Sequence, residues 1–389
     1  MKRLLCFILG LCLSLNLIGC AGLPGKPIEE PFTLTFITVG KGDAFLLQTP
    51  EGNSYLIDTG KAEDFLQIAR AFVVQGAAPL DGIFLTHGHK DHVGSLRQLV
   101  HLLAPAKVYV SGLDTVSYHE ILPEEICADV PTDLVPLYGG ETLDLGGVTA
   151  EVWLPDQVDT ENENNNSMVL RLTHDDVSFL MMGDAEHEEE LQLMKSGFPL
   201  KSTVLKLGHH GEDDATSEDF LLAVQPTVGL IAGNAEENPE SVNNEVSRRL
   251  EAMVPVVRYA DCDGLGYVFT SDGESIHESV LQDWNLVSSL KLSLAEVDRA
   301  GQRVTIRNDA DYAADLTCCI QKTKRGDECY IFPSGTKLAP GETISVACLG
   351  HEQPGDLVWQ EKDVWKPDRD KAQLYDGTIT LLDEQQEGD

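Results

Sequence analysis

Thr86-His87-Gly88-His89-Lys90-Asp91-His92 follows the apolar run Gly82-Ile83-Phe84-Leu85, and the reading of this stretch decides the fold. His87 and His89, two apart in extended chain, project to one side, and Asp91-His92 at the following turn can face back toward them. Four metal-capable side chains within six residues can hold two ions about as far apart as one bridging oxygen allows. Neither helix nor strand packing has a use for this composition, so it predicts a metal centre just beyond a buried strand.

Working outward, 32–39, 43–48 and 54–57 are short β-rich runs separated by Gly40-Lys41-Gly42 and Pro50-Glu51-Gly52-Asn53, the pattern of an antiparallel meander. Residues 61–75 predict a helix with Phe65, Ile68, Ala69 and Phe72 on one face, and 95–103 a second one after the histidines. Strands are expected at 107–110, 148–153, 168–173, 177–182, 202–207 and 228–232, and helices at 186–196, 217–224 and 244–253. Mixed order with strands outnumbering helices suits an α/β fold of two sheets packed face to face with helices outside.

HxHxDH after an apolar strand resembles the signature of the metallo-β-lactamase superfamily, and other parts of that pattern fall in the same order. Leu56-Ile57-Asp58-Thr59-Gly60 resembles the first motif, Leu180-Met181-Met182-Gly183-Asp184 the strand end carrying a shared carboxylate, and Leu205-Lys206-Leu207-Gly208-His209-His210-Gly211 the last motif. The resemblance implies a four-layer αββα sandwich and two divalent ions, Zn²⁺ first and Mn²⁺ or Fe next for mixed imidazole and carboxylate ligands. One ion would be held by His87, His89 and Asp184, and the other by Asp91, His92, Asp184 and His209. His210 is then left to a substrate phosphate or a proton, and Asp58 supports the histidine loop from behind. Water between two such ions loses a proton near neutral pH, which implies hydrolysis with Asp91, Asp184 and His210 as the catalytic set.

Within that superfamily, residues 32–282 resemble the extracellular hydrolase domain of the DNA-uptake competence protein ComEC. The likeness rests on Val39-Gly40-Lys41-Gly42-Asp43-Ala44, on Asn164-Asn165-Asn166-Ser167, and on His209-His210-Gly211. It implies substrate-side or supporting roles for Asp43, Asn164 and Ser167. The Asn/Ser segment lies where other members place a third histidine, so the His87 and His89 ion should be the more open one. Two departures weaken a DNA substrate: Glu212-Asp213-Asp214 follows Gly211, forming an acidic rim, and Glu240-Ser241-Val242-Asn243 stands where the branch carries His-Pro.

The chain begins Met1-Lys2-Arg3, continues apolar to Ile18 with Ser14 and Asn16 interrupting, and reaches Leu17-Ile18-Gly19-Cys20. This resembles a bacterial lipobox: a signal over 1–19, lipid on Cys20, a Pro/Gly-rich tether over 20–31, and residence as a lipoprotein on the outer face of the cell membrane. Net charge falls from -36 to -38 when Lys2 and Arg3 leave with the signal. Such a field disfavours non-specific nucleic-acid binding, although bound metal ions supply positive charge locally.

A hydrolase domain is expected over 32–284 and a second domain over 285–389, where turns at Gly301, Gly326-Asp327, Ser334-Gly335 and Pro340-Gly341 punctuate β-rich runs. Strands are expected there at 291–297, 303–307, 315–321, 330–333, 343–349, 357–359 and 378–382. Val304-Thr305-Ile306-Arg307-Asn308, Tyr330-Ile331-Phe332-Pro333, Leu338-Ala339-Pro340-Gly341-Glu342 and Asp376-Gly377 resemble the lamin-tail domain, an immunoglobulin-like β-sandwich. The resemblance implies wall or matrix contact. A disulfide is expected among Cys318, Cys319, Cys329 and Cys348, the pairing left open, and His174 is expected in a solvent-facing turn.

The function expected is an exported phosphodiesterase or nuclease acting on nucleic acid or an envelope component. Phosphorylcholine-esterase-like or lactone and ester hydrolysis is the enzymatic alternative, and a non-catalytic surface binding protein the alternative from another class.

Overall fold

The computed structural model describes residues 30–386 apart from 78, 114–117, 119–120, 234–235, 237–238, 240–243, 285 and 367–369. The expected signal, Cys20 and the tether lie outside the described residues. The chain divides between Asp283 and Trp284 into two compact units.

Two sheets build the first unit. In one, the strands run in the order Ile276–Leu281, Gly266–Ser271, Phe32–Ile37, Phe45–Gln48, Ser54–Ile57, Gly82–Phe84, Lys107–Ser111 and Asp133–Leu137. In the other the order is Val256–Tyr259, Val228–Ile231, Val204–Lys206, Val177–Met181, Val169–His174, Thr149–Trp153 and Thr142–Asp144. Each sheet joins an antiparallel meander to a run of parallel strands. Parallel neighbours need a crossover, and helices Phe65–Gln75, Leu96–Leu103 and Pro123–Ala128 serve the first sheet, while His187–Ser196, Glu218–Val224 and Glu245–Met253 serve the second. Ser217 and Asn244 cap the last two by accepting from the backbone N–H of Phe220 and Ser247.

The inner faces share one core, with Phe32, Phe36, Phe45 and Phe84 against Leu170, Phe179, Val204 and Leu230. Phe32 meets Phe179 edge-on across the layers, ring centroids 5.3 Å apart. Leu193, Phe220 and Leu250 cover the outside of the second sheet. The result is helix, sheet, sheet, helix, the expected four-layer αββα fold.

His174 departs from expectation. It is the last residue of its strand and buried, Nδ1 3.0 Å from Ser271 Oγ and the ring against Phe32, because the turn begins only at Asp175, in left-handed backbone. Edge strands Asp133–Leu137, Thr142–Asp144 and Val256–Tyr259 were not expected; they are half-exposed, and the first contains Pro136, which edges tolerate.

The second unit is β-rich, with four-stranded sheets ordered Leu292–Asp298, Arg303–Asn308, Thr343–Cys348, Leu357–Trp359 and Cys329–Ile331, Ile320–Thr323, Lys371–Tyr375, Leu381–Gln386, plus the pair Ala314–Asp315 and Lys337–Leu338. Both four-stranded sheets feed one core around Leu294, Ile306, Val346, Leu374, Trp359 and Trp365. The strand expected at 378–382 starts at Leu381, because Asp376 accepts from the backbone N–H of Thr378 and Thr380 and folds that segment into a turn. The expected disulfide is not formed: Cys319, Cys329 and Cys348 are thiols, Cys319 and Cys348 fully buried as small apolar residues. Among the described residues, no helix is long and apolar enough to cross a membrane.

Candidate metal centre

Strand ends of both sheets deliver the site. Asp58 follows strand Ser54–Ile57 in left-handed backbone, which Asp tolerates better than most residues. Its buried carboxylate accepts from Thr86 N at 2.8 Å, Thr86 Oγ1 at 2.7 Å and His92 Nδ1 at 2.8 Å. With Nδ1–H committed, the Nε2 lone pair of His92 faces inward. Asp184 follows Gly183, whose φ of 55° and packing against Ser167 and Thr86 exclude a side chain; its backbone N–H donates to Ser167 Oγ.

His92 Nε2 and His210 Nε2 lie 3.4 Å apart, and Asp184 Oδ2 is 3.2 Å from each. Asp91 Oδ2 is 3.2 Å from His210 Nε2. Donors about 2.0–2.1 Å from a tetrahedral ion stand about 3.3–3.4 Å from one another, so these four separations fit one divalent ion. His87 Nε2 is buried without a hydrogen-bond partner, 3.7 Å from Asp184 Oδ2. That orphaned nitrogen fits a second ion sharing Asp184.

The electrostatics agree. Burial, reinforced by His92, holds His87 well below the usual imidazole range, hence neutral. Burial also opposes charge on His92 and His210, but Asp184 and its neighbours outweigh it, raising His92 well above its ordinary value and His210 to about 9. Asp184, despite burial, is held well below the carboxylate range by His210 and His92. The cluster demands positive charge between its imidazoles and carboxylates.

Of the last two histidines, the structure places His210, rather than the expected His209, in the buried cluster. His210 is fully buried with Nε2 in the cluster, and its Nδ1–H donates to Ala232 O at 2.9 Å. His209 turns outward, its Nδ1 2.9 Å from Asp214 Oδ1 and 3.5 Å from Glu186 Oε1. The physical reason is the backbone: both residues are left-handed, at φ 42° and 51°, and this double reversal swings the second ring inward. Such geometry costs about 1–2 kcal/mol per residue. Asn244 Nδ2 donates to Gly211 O at 2.6 Å and fixes the turn from behind.

The acidic rim is also partly neutralised: Glu212 pairs with Lys41 at 3.3 Å and Asp214 with His209. His89 lies beside His87, ring centroids 4.7 Å apart, on the more exposed side, its Nε2 3.3 Å from Glu163 Oε2. Asn164 and Ser167 flank the centre. Asn164 Nδ2 donates to Glu186 Oε1 at 2.8 Å, and Ser167 Oγ donates to Asn164 O. Asp43 is a buried supporting group, 2.6 Å from Lys206 Nζ and 3.7 Å from His210 Nδ1.

Lys206 was missed as a site residue. It is fully buried and stays charged, because Asp43 and Asp184 outweigh its desolvation; Nζ also donates to Gly183 O at 2.7 Å. The available signal was a lysine between Leu205 and Leu207 in a strand that reads as core.

Fold and site together define a metal-dependent hydrolase, and the family profile for the metallo-beta-lactamase superfamily matches residues 37–234. The chain belongs to that superfamily. It is 27% identical over 237 residues to ComE operon protein 3 of Bacillus subtilis, covering 55% of this chain and 30% of that protein. It is 28% identical over 224 residues to competence protein ComA of Neisseria gonorrhoeae, covering 56% and 30%. The chain thus spans about a third of the length of these relatives. A solved structure similar to this chain is the metallo-β-lactamase fold protein YhfI of Bacillus subtilis, 16% identical with a TM-score of 0.41, covering 62% of this chain and all of that one.

Proposed function

We propose that the chain is an exported phosphodiesterase or nuclease, tethered to the outer face of the membrane through lipid on Cys20, with the second unit a lamin-tail-like module contacting wall or matrix. The observation that carries the catalytic reading is the convergence of His87, His92 and His210 on the single oxygen Asp184 Oδ2, with Asp91 Oδ2 3.2 Å from His210 Nε2. His87, Asp184 and His89 would hold one divalent ion, and Asp91, His92, Asp184 and His210 the other, Zn²⁺ or Mn²⁺. Such ions polarise a phosphoryl oxygen and activate water.

The chain's own residues orient this machinery. Asp58 and Ala232 O fix the ring orientation of His92 and His210, and Lys206 anchors Asp184 through Gly183 O. Asp91 is the most open carboxylate among Asp43, Asp58, Asp91 and Asp184, its side chain 24% exposed, and it would present its ion on the accessible side of the cluster. The resemblance to a DNA-uptake competence domain, supported by the likeness to a relative named a competence protein, favours a nucleic acid within this reading.

The test compares a bis-aryl phosphodiester, single- and double-stranded DNA, an aryl phosphorylcholine and a lactone, with Asp184→Ala and His87→Ala beside the wild type. Hydrolysis of the phosphodiester and DNA that vanishes in both variants is expected. Turnover surviving both would sink the mechanism, and turnover of the lactone alone would replace the substrate class.

A further inference from the structure

We propose that Lys41 receives the phosphate group of the substrate at the rim of the metal centre. This rests on the phosphodiesterase reading above and names the side chain that would hold the anion. Lys41 stands between two glycines with positive φ, Gly40 at 67° and Gly42 at 153°. That backbone lets the loop press onto the segment carrying Asp91: a side chain on Gly42 would start 2.9 Å from Asp91 O, and Asp43 N donates to the same oxygen at 3.1 Å.

From this loop the ammonium reaches across to the other sheet. Its Nζ lies 3.3 Å from Glu212 Oε1. Glu212 is two residues past His210, and its backbone N–H donates to His209 O at 2.9 Å. Lys41 and Glu212 therefore join the two segments whose side chains, Asp91 Oδ2 and His210 Nε2, stand 3.2 Å apart in the cluster. Both side chains of the bridge are partly open, 32% and 23% exposed, like that of Asp91 and unlike the buried His92, His210 and Asp184. The bridge thus belongs to the side from which a substrate can approach.

Stability does not account for it, because an ion pair exposed at both ends contributes little. Recognition does. Glu163, Glu186, Glu212 and Asp214 all border the centre with negative charge, and a phosphodiester brings one more. Lysine is a compact point charge suited to a phosphate oxygen. An ammonium also has three donors, so a phosphate can share it with Glu212. Glu212 then holds the long side chain at the rim until the anion arrives, and Lys41 offsets the carboxylates that the anion must pass.

The experiment loads the full chain with Zn²⁺, removes unbound metal and titrates inorganic phosphate into it by calorimetry, with bound metal counted by elemental analysis. Lys41→Met keeps the apolar stem and removes the charge. It should bind phosphate about tenfold more weakly, the low end for a hydrogen bond between charged groups, and raise KM for a bis-aryl phosphodiester in step, with both metal equivalents retained. The double variant Lys41→Met/Glu212→Gln has the net charge of the wild type and should remain weak. Recovery of wild-type phosphate affinity there would make Lys41 a counter-charge to Glu212 only and overturn the assignment. Affinity within threefold of wild type in Lys41→Met, or loss of a metal equivalent from it, also overturns the assignment and leaves the hydrolase reading standing. Phosphate held through Lys41 without turnover of the diester brings down the phosphodiesterase reading alone. A metal-loaded wild type that binds no phosphate brings down both.

Discussion

Asp58→Asn tests whether the orientation of His92 depends on the carboxylate behind it. Asp58 takes three buried donors, Thr86 N, Thr86 Oγ1 and His92 Nδ1, all within 2.8 Å. Asparagine keeps the shape but offers one acceptor oxygen. The Thr86 N–H cannot rotate away, so the oxygen stays with it and the new amide faces the hydroxyl and His92. The hydroxyl can turn and accept. His92 must move its hydrogen from Nδ1 to Nε2, into the gap 3.2 Å from Asp184 Oδ2 and 3.4 Å from His210 Nε2. A metal must then displace that hydrogen. Losing such a supporting partner costs about 10–100-fold in metal affinity, or about 1.4–2.8 kcal/mol at 1.4 kcal/mol per tenfold. Chelator competition on metal-free and reloaded protein reads the loss, and the fold should survive because the cavity is unchanged in size. Both equivalents held within threefold of wild type would refute the argument that Asp58 sets the tautomer. Asp58→Ala is a poorer test, since it orphans three buried donors at about 1–3 kcal/mol each and threatens the fold itself.

His210→Ala should abolish retention of the metal bound by His92, whereas His209→Ala should retain both equivalents by elemental analysis; the opposite pattern would restore His209 as the ligand. Lys206→Met leaves Asp43 and Asp184 buried without their ammonium partner, and breaking a buried pair costs about 3–5 kcal/mol, readable as a lower midpoint in urea unfolding of the metal-free protein. Burial pushes the thiol of Cys127 up to about 11 and that of Cys319 up to about 12. At pH 8 both should therefore resist a disulfide reagent until guanidinium unfolds the chain, and reductant should leave the melting temperature unchanged.

Much of the centre was legible because its chemistry is local in sequence. His87, His89, Asp91 and His92 lie within six residues, and Asp58 and Asp184 each follow a strand whose apolar run marks its end. The choice between His209 and His210 was not legible, since it turns on two left-handed residues that no hydrophobic period reports. Lys206 escaped for the opposite reason: a strand of Val204-Leu205-Lys206 reads as core, and only the neighbouring strand end, with Gly183 O, and the loop between Phe32–Ile37 and Phe45–Gln48 of the other sheet, with Asp43, meet its ammonium. Edge strands were lost where burial is incomplete and the alternation of apolar residues is weak.

Charge bears on whether so acidic a chain suits the anionic substrate proposed above. At the centre, Asp43, Asp58, Asp91 and Asp184 bring four negative charges and Lys206 one positive, a net of -3 with neutral imidazoles. Two divalent ions turn that to +1. The repulsion from a surface of net charge -36 is screened within about 8 Å at physiological ionic strength. At contact distance the ions dominate, and the surface field acts on encounter rate instead. The acidic composition therefore argues against tight, non-specific holding of a nucleic acid and is compatible with cleaving one that a metal-loaded centre captures a single phosphate at a time.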